Sequence, residues 1–238
     1  MVAGDSSRHI GSAPQPDCGK AAGYGTRVAA TDWLDWHDRY DDPDTGLPER
    51  LTVVRGFIRN VLDTRRSHEI RVVSACAGQG RDLLPVLADH PRRDRVRARL
   101  IELDSPNADL ARAFGRAADL GLVEVVTADA SATNAYLGAV PADLVLMCGV
   151  FGNISDEDVE TTVRLLPEFC APEAIVVWTR GRRLPDLTPA IRRWFGEAGF
   201  EELAFESPGV DSYSVGMNRL TGNPVPLQPG RRMFTFRR

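Results

Sequence analysis

Two glycines separated by one residue stand between an apolar run and a segment with helical periodicity. In residues 72–82 (VVSACAGQGRD), Gly78 and Gly80 allow the main chain to approach a ligand closely and to take dihedral angles that other residues avoid. A strand before such a turn and a helix after it form the context in which the motif binds ligands. The dinucleotide fingerprint needs a third Gly or Ala three residues on, where this chain has Leu83. The turn therefore indicates a ligand site and disfavours a nicotinamide or flavin dinucleotide.

Carboxylates follow the next two apolar runs. The stretch LIELDSPN places Glu102 and Asp104 at the end of the second run, and VEVVTADA places Asp129 after the third. An acidic side chain after the second strand can accept both ribose hydroxyls of a nucleoside. A carboxylate after the third strand could accept a hydrogen bond from the amino group of adenine. Because parallel strands bring their carboxyl ends to one edge of a sheet, these groups are expected to line one cradle with the glycine turn.

The candidates for acid–base chemistry lie in residues 31–40 (TDWLDWHDRY), where Trp33, Trp36, His37 and Tyr40 share one face of a predicted helix. His37 is the one histidine placed to act as a base, with packing or surface exposure as the alternative. Tyr40 could donate a hydrogen bond to an acceptor molecule and could equally anchor the helix. Both tryptophans are expected to pack in the core or lid.

Further side chains surround the predicted ligand edge. Arg81, at the start of the first helix after the turn, could pair with a carboxylate of the ligand. Cys148 ends the fourth strand and is expected to be a small buried lining residue. The arginines after the fifth strand could clamp an anionic group, although a solvated loop is the favoured interpretation: Arg180, Arg182 and Arg183. The four cysteines have no metal-ligand spacing, which predicts reduced thiols and no metal site.

The elements that must position these groups alternate between short apolar runs and helical segments. This alternation predicts an α/β fold, a doubly wound, mostly parallel sheet with helices on both faces. Residues 1–30, rich in Gly, Ser, Ala and Pro, are predicted to be a flexible leader, residues 31–66 an N-terminal helical lid, and residues 67–238 the ligand-binding domain. Strands are predicted at residues 70–75, 98–103, 123–127, 143–148, 174–179, 203–206 and 233–236, and helices at residues 48–62, 81–89, 108–120, 156–166 and 188–198.

Composition narrows the function classes. The chain has 238 residues, 43% of them hydrophobic and 26% charged, with a net charge of −4 at pH 7, which excludes a fully disordered chain. The acidic balance argues against a general binder of nucleic acids or membrane surfaces. No apolar stretch is long enough for a membrane span, and the N-terminus lacks the apolar segment of a secretion signal. A cytoplasmic protein that binds neither nucleic acids nor membranes is therefore expected.

Taken together, these motifs resemble class I S-adenosylmethionine (SAM)-dependent methyltransferases over about residues 70–179. The segment Cys76-Ala77-Gly78-x-Gly80 resembles that family's glycine loop, and the stretch ADLVLMCGVFGNISDEDV resembles its fourth strand and the following loop. The resemblance implies a seven-stranded sheet with an antiparallel last strand and SAM as cofactor. It also implies that Asp104 is the ribose-binding acid and that Asp129 and Ala130 contact adenine.

Several positions depart from the family pattern. Ser74 stands where many members have an acidic residue, Cys76 where many have the first glycine, and Gly152–Asn153 where many small-molecule O-methyltransferases have histidines. There is no Asn/Asp-Pro-Pro-aromatic motif, which argues against N-methylation of a nucleobase or glutamine. The resemblance implies methyl transfer by in-line displacement, with positioning supplying much of the acceleration. The first hypothesis for the acceptor is a small molecule. A SAM-binding protein that does not methylate, and less favourably an NAD(P)-dependent oxidoreductase, remain as alternatives.

Overall fold

The computed structural model describes residues 1–2, 38–209 and 212–237. The predictions for the leader, for the two lid tryptophans and for His37 lie outside the described residues. From residue 38 onward, two short 3-10 turns, Asp38–Asp41 and Pro43–Thr45, precede the first α-helix. Within the described ranges, no helix combines the length and the apolar character needed to cross a bilayer.

One sheet organises the described part of the chain. Its seven strands are β1 Ile70–Ala75, β2 Val96–Glu102, β3 Val123–Thr127, β4 Ala142–Met147, β5 Cys170–Gly181, β6 Phe200–Glu206 and β7 Tyr213–Leu220. Their order is β3-β2-β1-β4-β5-β7-β6. The pairs from β3 to β5 are parallel, and β7 runs antiparallel to both β5 and β6. The predicted doubly wound, mostly parallel seven-stranded sheet is confirmed.

Helices cover both faces of this sheet. They are α1 Leu47–Thr64, α2 Leu84–Asp89, α3 Ser105–Ala117, α4 Asp156–Leu165 and α5 Thr188–Glu197. Apolar side chains of α1, α2 and α3 join one core cluster, whereas those of α4 and α5 join the other. Each cluster includes alternate residues of the central strands, as expected for strands that are buried on both faces. The central strands of the sheet are therefore buried between two layers of helices.

The end of the chain differs from the prediction. The last strand is Tyr213–Leu220, which the hydrophobic pattern did not identify, because its polar residues are buried with partners inside the fold. The indole Nε1 of Trp178 donates to Asn218 Oδ1 at 2.8 Å, and Ser214 Oγ donates to the main-chain oxygen of Arg180 at 2.8 Å. The predicted strand at residues 233–236 is wrong, since the described residues there form only an isolated bridge at Phe236.

Residues 221–237, here called the C-terminal tail, return from β7 to the connection between β3 and β4. That connection contains one 3-10 turn, Thr133–Tyr136, where an α/β unit usually has a helix. Met233 N donates to Ser131 O at 2.8 Å, and Met233 and Phe234 are almost fully buried in the core. The apolar residues at 233–236 thus pack beneath the sheet edge without joining the sheet.

An arginine clamp joins α1 to the amino ends of β4 and β5. Arg65 donates from Nε and Nη2 to Asp143 Oδ1 at 2.9 and 2.6 Å and also to the carbonyls of Pro172 and Glu173. The side chains of Arg65 and Asp143 are only 18% and 11% exposed. Removing the guanidinium would leave a largely buried carboxylate without its charge partner.

Arg65→Ala is therefore expected to lower the free energy of unfolding by about 2 to 3 kcal/mol, measured by urea denaturation. Arg71→Ala is the matched control, because the Arg71–Glu69 pair has side chains that are 45% and 39% exposed. Its loss should cost less than about 0.5 kcal/mol. Equal effects of the two substitutions would contradict the clamp.

Candidate functional site

The turns after β1 and β3 are both hydrogen-bonded to the end of β2. Gly78 N donates to Glu102 Oε2 at 2.7 Å, and Ala77 N donates to Ile101 O at 3.0 Å. Ala128 N, directly before Asp129, donates to Glu102 O at 3.1 Å. The structure thus brings the glycine turn, Glu102 and the start of the β3 loop to one edge. We call the turn 76–80 together with Glu102 and Asp129 the nucleoside cradle.

The glycine turn needs a left-handed backbone at three positions. Gly78 and Gly80 have φ values of +55° and +69°, and Cys76 has a φ of +50°. A Cβ on Gly80 would lie 2.6 to 2.9 Å from side-chain atoms of Leu84 and Leu100. A side chain at such angles costs roughly 1 to 2 kcal/mol. This strain gives a physical reason why many members of the family that the sequence resembles have a glycine at the position of Cys76. Helix α2 starts at Leu84, three residues later than predicted, because residues 81–83 form a further turn after the glycines.

The two carboxylates after β2 have different surroundings. Glu102 is 9% exposed, and its second oxygen, Oε1, accepts from Asp104 N at 2.8 Å. Asp104 caps α3, since its Oδ1 accepts from Asn107 N at 3.0 Å. The carboxylate of Glu102 thus faces the glycine turn, whereas that of Asp104 is engaged by the helix N-terminus. Between the two acids, Leu103 is 66% exposed, a position that sequence reasoning did not single out.

The third carboxylate belongs to Asp129, which comes directly after the residue that donates to Glu102 O. Asp129 Oδ1 accepts from Ser131 N at 2.9 Å. Burial raises the pKa of Asp129, but hydrogen bonds from Ser131 and the charge of Arg232 outweigh burial and hold it below its ordinary value. Burial also raises the pKa of the Cys76 thiol well above its usual range, and the charges of Glu102 and Asp129 raise it further. Cys76 therefore stays protonated and lies within electrostatic range of both carboxylates.

Ala130, the second residue of the predicted adenine-contact pair, is held in place by a buried tyrosine. The Tyr136 hydroxyl donates to Ala130 O at 2.8 Å, and Ala130 is only 3% exposed. Burial raises the pKa of Tyr136 well above 10, so the hydroxyl keeps its proton as a donor. The main chain after Asp129 is consequently fixed against the core.

Tyr40 and Cys148 belong to a second cluster at the neighbouring part of the edge. The Tyr40 hydroxyl accepts from Arg50 Nη2 at 2.8 Å, and the guanidinium groups of Arg50 and Arg81 lie 5.8 and 5.7 Å from the centre of its ring. Burial raises the pKa of Tyr40, and the nearby Asp82 and Cys148 oppose its ionisation as well. Burial also raises the pKa of Cys148 well above its usual range. Both groups therefore hold their protons at neutral pH.

Arg81 and Asp82 connect this cluster to the glycine turn. Arg81 pairs with Asp41 at 3.1 Å, and its Nε donates to Gln79 Oε1 at 2.9 Å. Asp82 accepts from Leu83 N at 2.8 Å and forms no ion pair with any described residue. Burial raises the pKa of Asp82 even though Arg55 and Arg50 lie near it. Asp82 is therefore a poorly compensated carboxylate beside Tyr40 and a candidate for binding a cationic group.

The loop after β4 is held by its neighbours. Gly149 N donates to Thr179 Oγ1 at 2.8 Å, and Asn153 Nδ2 donates to Gly149 O at 2.7 Å. Arg180 donates to Phe151 O, with only 17% of its side chain exposed. Arg182 pairs with Asp186 at 2.9 Å, so among the predicted clamp residues both Arg180 and Arg182 have partners within the protein.

Comparisons with known proteins bear on the fold. No protein-family profile matches the chain, and no curated protein matches it. Among solved structures, an O-methyltransferase family protein from Burkholderia thailandensis superposes with a TM-score of 0.61 at 17% identity, covering 79% of this chain and 59% of that one. The carbon methyltransferase CurJ gives 0.61 at 14% identity, covering 80% of this chain and 59% of that one. This chain thus spans about six-tenths of the length of either protein.

A third neighbour is covered completely. The SAM-bound magnesium protoporphyrin IX methyltransferase from Synechocystis PCC 6803 superposes with a TM-score of 0.56 at 12% identity, covering 82% of this chain and 100% of that one. The chain has the class I SAM-dependent methyltransferase fold. In this fold, ligands bind at the carboxyl edge of the parallel strands, which is where the nucleoside cradle lies. Among the described residues, no three His, Cys, Asp or Glu side chains group as metal ligands.

Proposed function

We propose that this protein binds SAM in the nucleoside cradle and transfers its methyl group to a small-molecule acceptor by in-line displacement. The observation that carries the proposal is the carboxylate of Glu102. It is buried at the carboxyl edge, it is hydrogen-bonded to Gly78 N, and no arginine or lysine among the described residues pairs with it. The methyltransferase fold and the small-molecule acceptor of the Synechocystis neighbour support the same conclusion.

The residues present fit an adenosyl group. Each oxygen of Glu102 accepts one main-chain hydrogen bond and retains a lone pair, so the carboxylate suits the two adjacent hydroxyls of a ribose. The exposed Leu103 offers an apolar surface beside it for a flat base. Asp129 is ionised at neutral pH and suits the amino group of adenine. We therefore assign the ribose to Glu102 in preference to Asp104, which caps α3.

The methionine end of SAM carries an ammonium and a carboxylate. We assign the ammonium to Asp82, because a partly buried carboxylate that lacks an ion pair with any described residue gains most from a cationic ligand. Arg81, at the same turn, remains our proposal for the methionine carboxylate. Arg81 already pairs with Asp41, whose side chain is 72% exposed, so part of its charge is compensated by a solvated group. The neighbouring Asp82 carboxylate and Arg81 guanidinium would thus bind the ammonium and the carboxylate of the methionine end, respectively.

Asp82→Asn is expected to weaken binding of S-adenosylhomocysteine (SAH), the demethylated cofactor, roughly tenfold. The ammonium requires the ionised carboxylate, and the pKa of Asp82 lies above its ordinary value of 3.8. Affinity of the unmodified protein should therefore fall as the pH is lowered from 7 toward that raised pKa, whereas the variant loses this dependence. Calorimetric titrations at several pH values measure both effects. An identical pH profile for the two proteins would contradict the assignment.

When bound, SAM supplies a methyl group on a sulfonium whose positive charge disappears as the methyl leaves. The protein's own residues have to orient the two molecules and exclude water, which can supply up to roughly 7 to 11 kcal/mol. Tyr40 and Cys148 retain their protons at neutral pH, so neither acts as a general base. The Tyr40 hydroxyl is instead proposed to donate to the acceptor. His37 remains our proposal for the base. If His37 does not act as the base, we expect the acceptor to be a group that reacts without a strong base.

The test is a titration with SAH followed by a methyl-transfer assay with candidate acceptors. We expect SAH to bind with one site per chain and reduced nicotinamide dinucleotide to show no binding. An NAD(P)-dependent oxidoreductase would bind the reduced nicotinamide dinucleotide. We expect no such binding here, because Leu83 is fully buried in the core at the position of the third fingerprint glycine. Absence of SAH binding would overturn the proposed function.

A second candidate is a protein of the same fold that binds SAM without transferring the methyl group. It is favoured by the loop after β4, where Gly152 has no side chain and Asn153 is used to hold Gly149 O. Tight binding of SAH, together with no methyl transfer from SAM to any of a broad set of acceptors, would support this second candidate.

A further inference from the structure

The C-terminal tail brings an arginine to the adenine end of the cradle. Arg232 Nη1 donates to Asp129 Oδ2 at 3.1 Å and to Ser131 Oγ at 2.8 Å. Arg232 and Asp129 lie 103 residues apart in the sequence, and the resemblance assigned no residue of the tail to the cofactor site. The carboxylate expected to meet adenine thus has a cationic neighbour from a distant segment.

The backbone around Arg232 is held on both sides. Arg232 bridges Ala132 in antiparallel fashion, Thr133 N donates to Arg231 O at 2.9 Å, and Met233 N donates to Ser131 O at 2.8 Å. Arg231 pairs with Glu168, and Met233 is buried in the core. Because the tail is already ordered, Arg232 can bind a ligand without the entropic cost of fixing its main chain.

The guanidinium also has donors to spare. Its Nη1 makes both of the hydrogen bonds above, while Nε and Nη2 make none to the described residues. The Arg232 side chain is 60% exposed. A planar guanidinium presents five N–H donors in a fixed fork. Arg232 can therefore keep its contact with Asp129 and donate to a ligand at the same time.

We propose that Arg232 and Asp129 form a donor–acceptor pair that selects adenine, with Asp129 accepting from the amino group and Arg232 donating to an adjacent ring nitrogen. This inference rests on the proposed SAM site. The amino group and ring nitrogen of adenine present a donor beside an acceptor. Hypoxanthine, the deaminated base, has a carbonyl oxygen in place of the amino group, which the Asp129 carboxylate would repel. Its N1 also carries a proton, so this ring nitrogen cannot accept a hydrogen bond from Arg232. Arg232 is thus a specificity residue of the cofactor site.

The test compares calorimetric affinities for SAH and for its deaminated counterpart, which carries hypoxanthine. The unmodified protein should prefer SAH by at least about tenfold, or ~1.4 kcal/mol. Arg232→Met should bind SAH about tenfold more weakly and lose the part of the preference that Arg232 supplies, while the part due to Asp129 remains. Arg193→Met is the matched control, because Arg193 lies on α5, its side chain is 62% exposed, and it pairs with a glutamate, Glu197. It should bind both ligands as the unmodified protein does.

The possible failures are distinguishable. If the unmodified protein binds SAH and Arg232→Met retains both affinities, the pair is overturned while the SAM site stands. If the unmodified protein does not bind SAH, the proposed function fails and the pair with it. Thermal unfolding verifies that the variants fold. Arg232→Lys keeps the charge beside Asp129 without the fork, so it provides a milder second variant whose preference for SAH should also fall. Undiminished preference in that variant would count against the pair.

Discussion

Glu102→Ala is expected to weaken SAH binding by about 100-fold or more. The substitution removes an acceptor for two ribose hydroxyls, and each hydrogen bond to a charged group contributes roughly 1.5 to 3 kcal/mol. A loss of ~3 kcal/mol corresponds to about 100-fold in affinity. Isothermal titration calorimetry measures the change directly. The carboxylate also accepts from Gly78 N, so thermal unfolding of the variant is needed to verify that the turn persists.

The neighbouring Asp104 provides the matched control. Asp104→Ala removes the cap of α3 and should lower the free energy of unfolding by about 1 kcal/mol. SAH affinity should change by no more than a few-fold, because the Asp104 carboxylate is engaged by Asn107 N. Complete loss of binding in Asp104→Ala together with normal binding in Glu102→Ala would reverse the roles assigned to these two acids.

Gly216→Ala is expected to lower the free energy of unfolding by about 3 kcal/mol. A Cβ on Gly216 would lie 2.2 to 2.4 Å from three atoms of the Trp178 indole. That ring cannot move aside, since Trp178 is fully buried, donates to Asn218 and stacks on Phe195 with ring centres 5.7 Å apart. For a chain of this length, the melting temperature should fall by roughly 6 to 12 °C. Differential scanning calorimetry measures the shift.

Gly115→Ala is the control for this second prediction. Gly115 lies inside α3, and a Cβ there meets no atom within 4 Å. Alanine should therefore stabilise the protein by up to about 1 kcal/mol. If Gly216→Ala left the melting temperature unchanged, β7 could not pack against Trp178 as described.

Most of the sheet could be predicted from the sequence because its central strands are buried on both faces. Runs such as Ile70–Ala75 and Ala142–Met147 are mostly apolar and almost wholly buried, and a glycine follows each of them within three residues. The glycine turn was recognisable for the same reason, since its position between strand and helix is a local property. Local patterns likewise placed Asp129 at the carboxyl edge.

The remaining features depend on contacts between distant segments. The strand Tyr213–Leu220 contains buried Ser214 and Asn218, whose polarity conceals it until their partners on β5 are known. Glu102 and Asp104 are two residues apart, so only the end of β2 and the start of α3 reveal which one caps the helix. Arg232 reaches Asp129 across 103 residues, and no local pattern encodes that approach.

The most direct test of the nucleoside cradle is a crystal structure of the protein with SAH. It should show the ribose hydroxyls within hydrogen-bond distance of the Glu102 carboxylate, the main chain of Gly78 against the ligand, and the adenine beside Asp129. SAH bound elsewhere on the protein, with Glu102 and Gly78 making no contact to it, would contradict the proposed site.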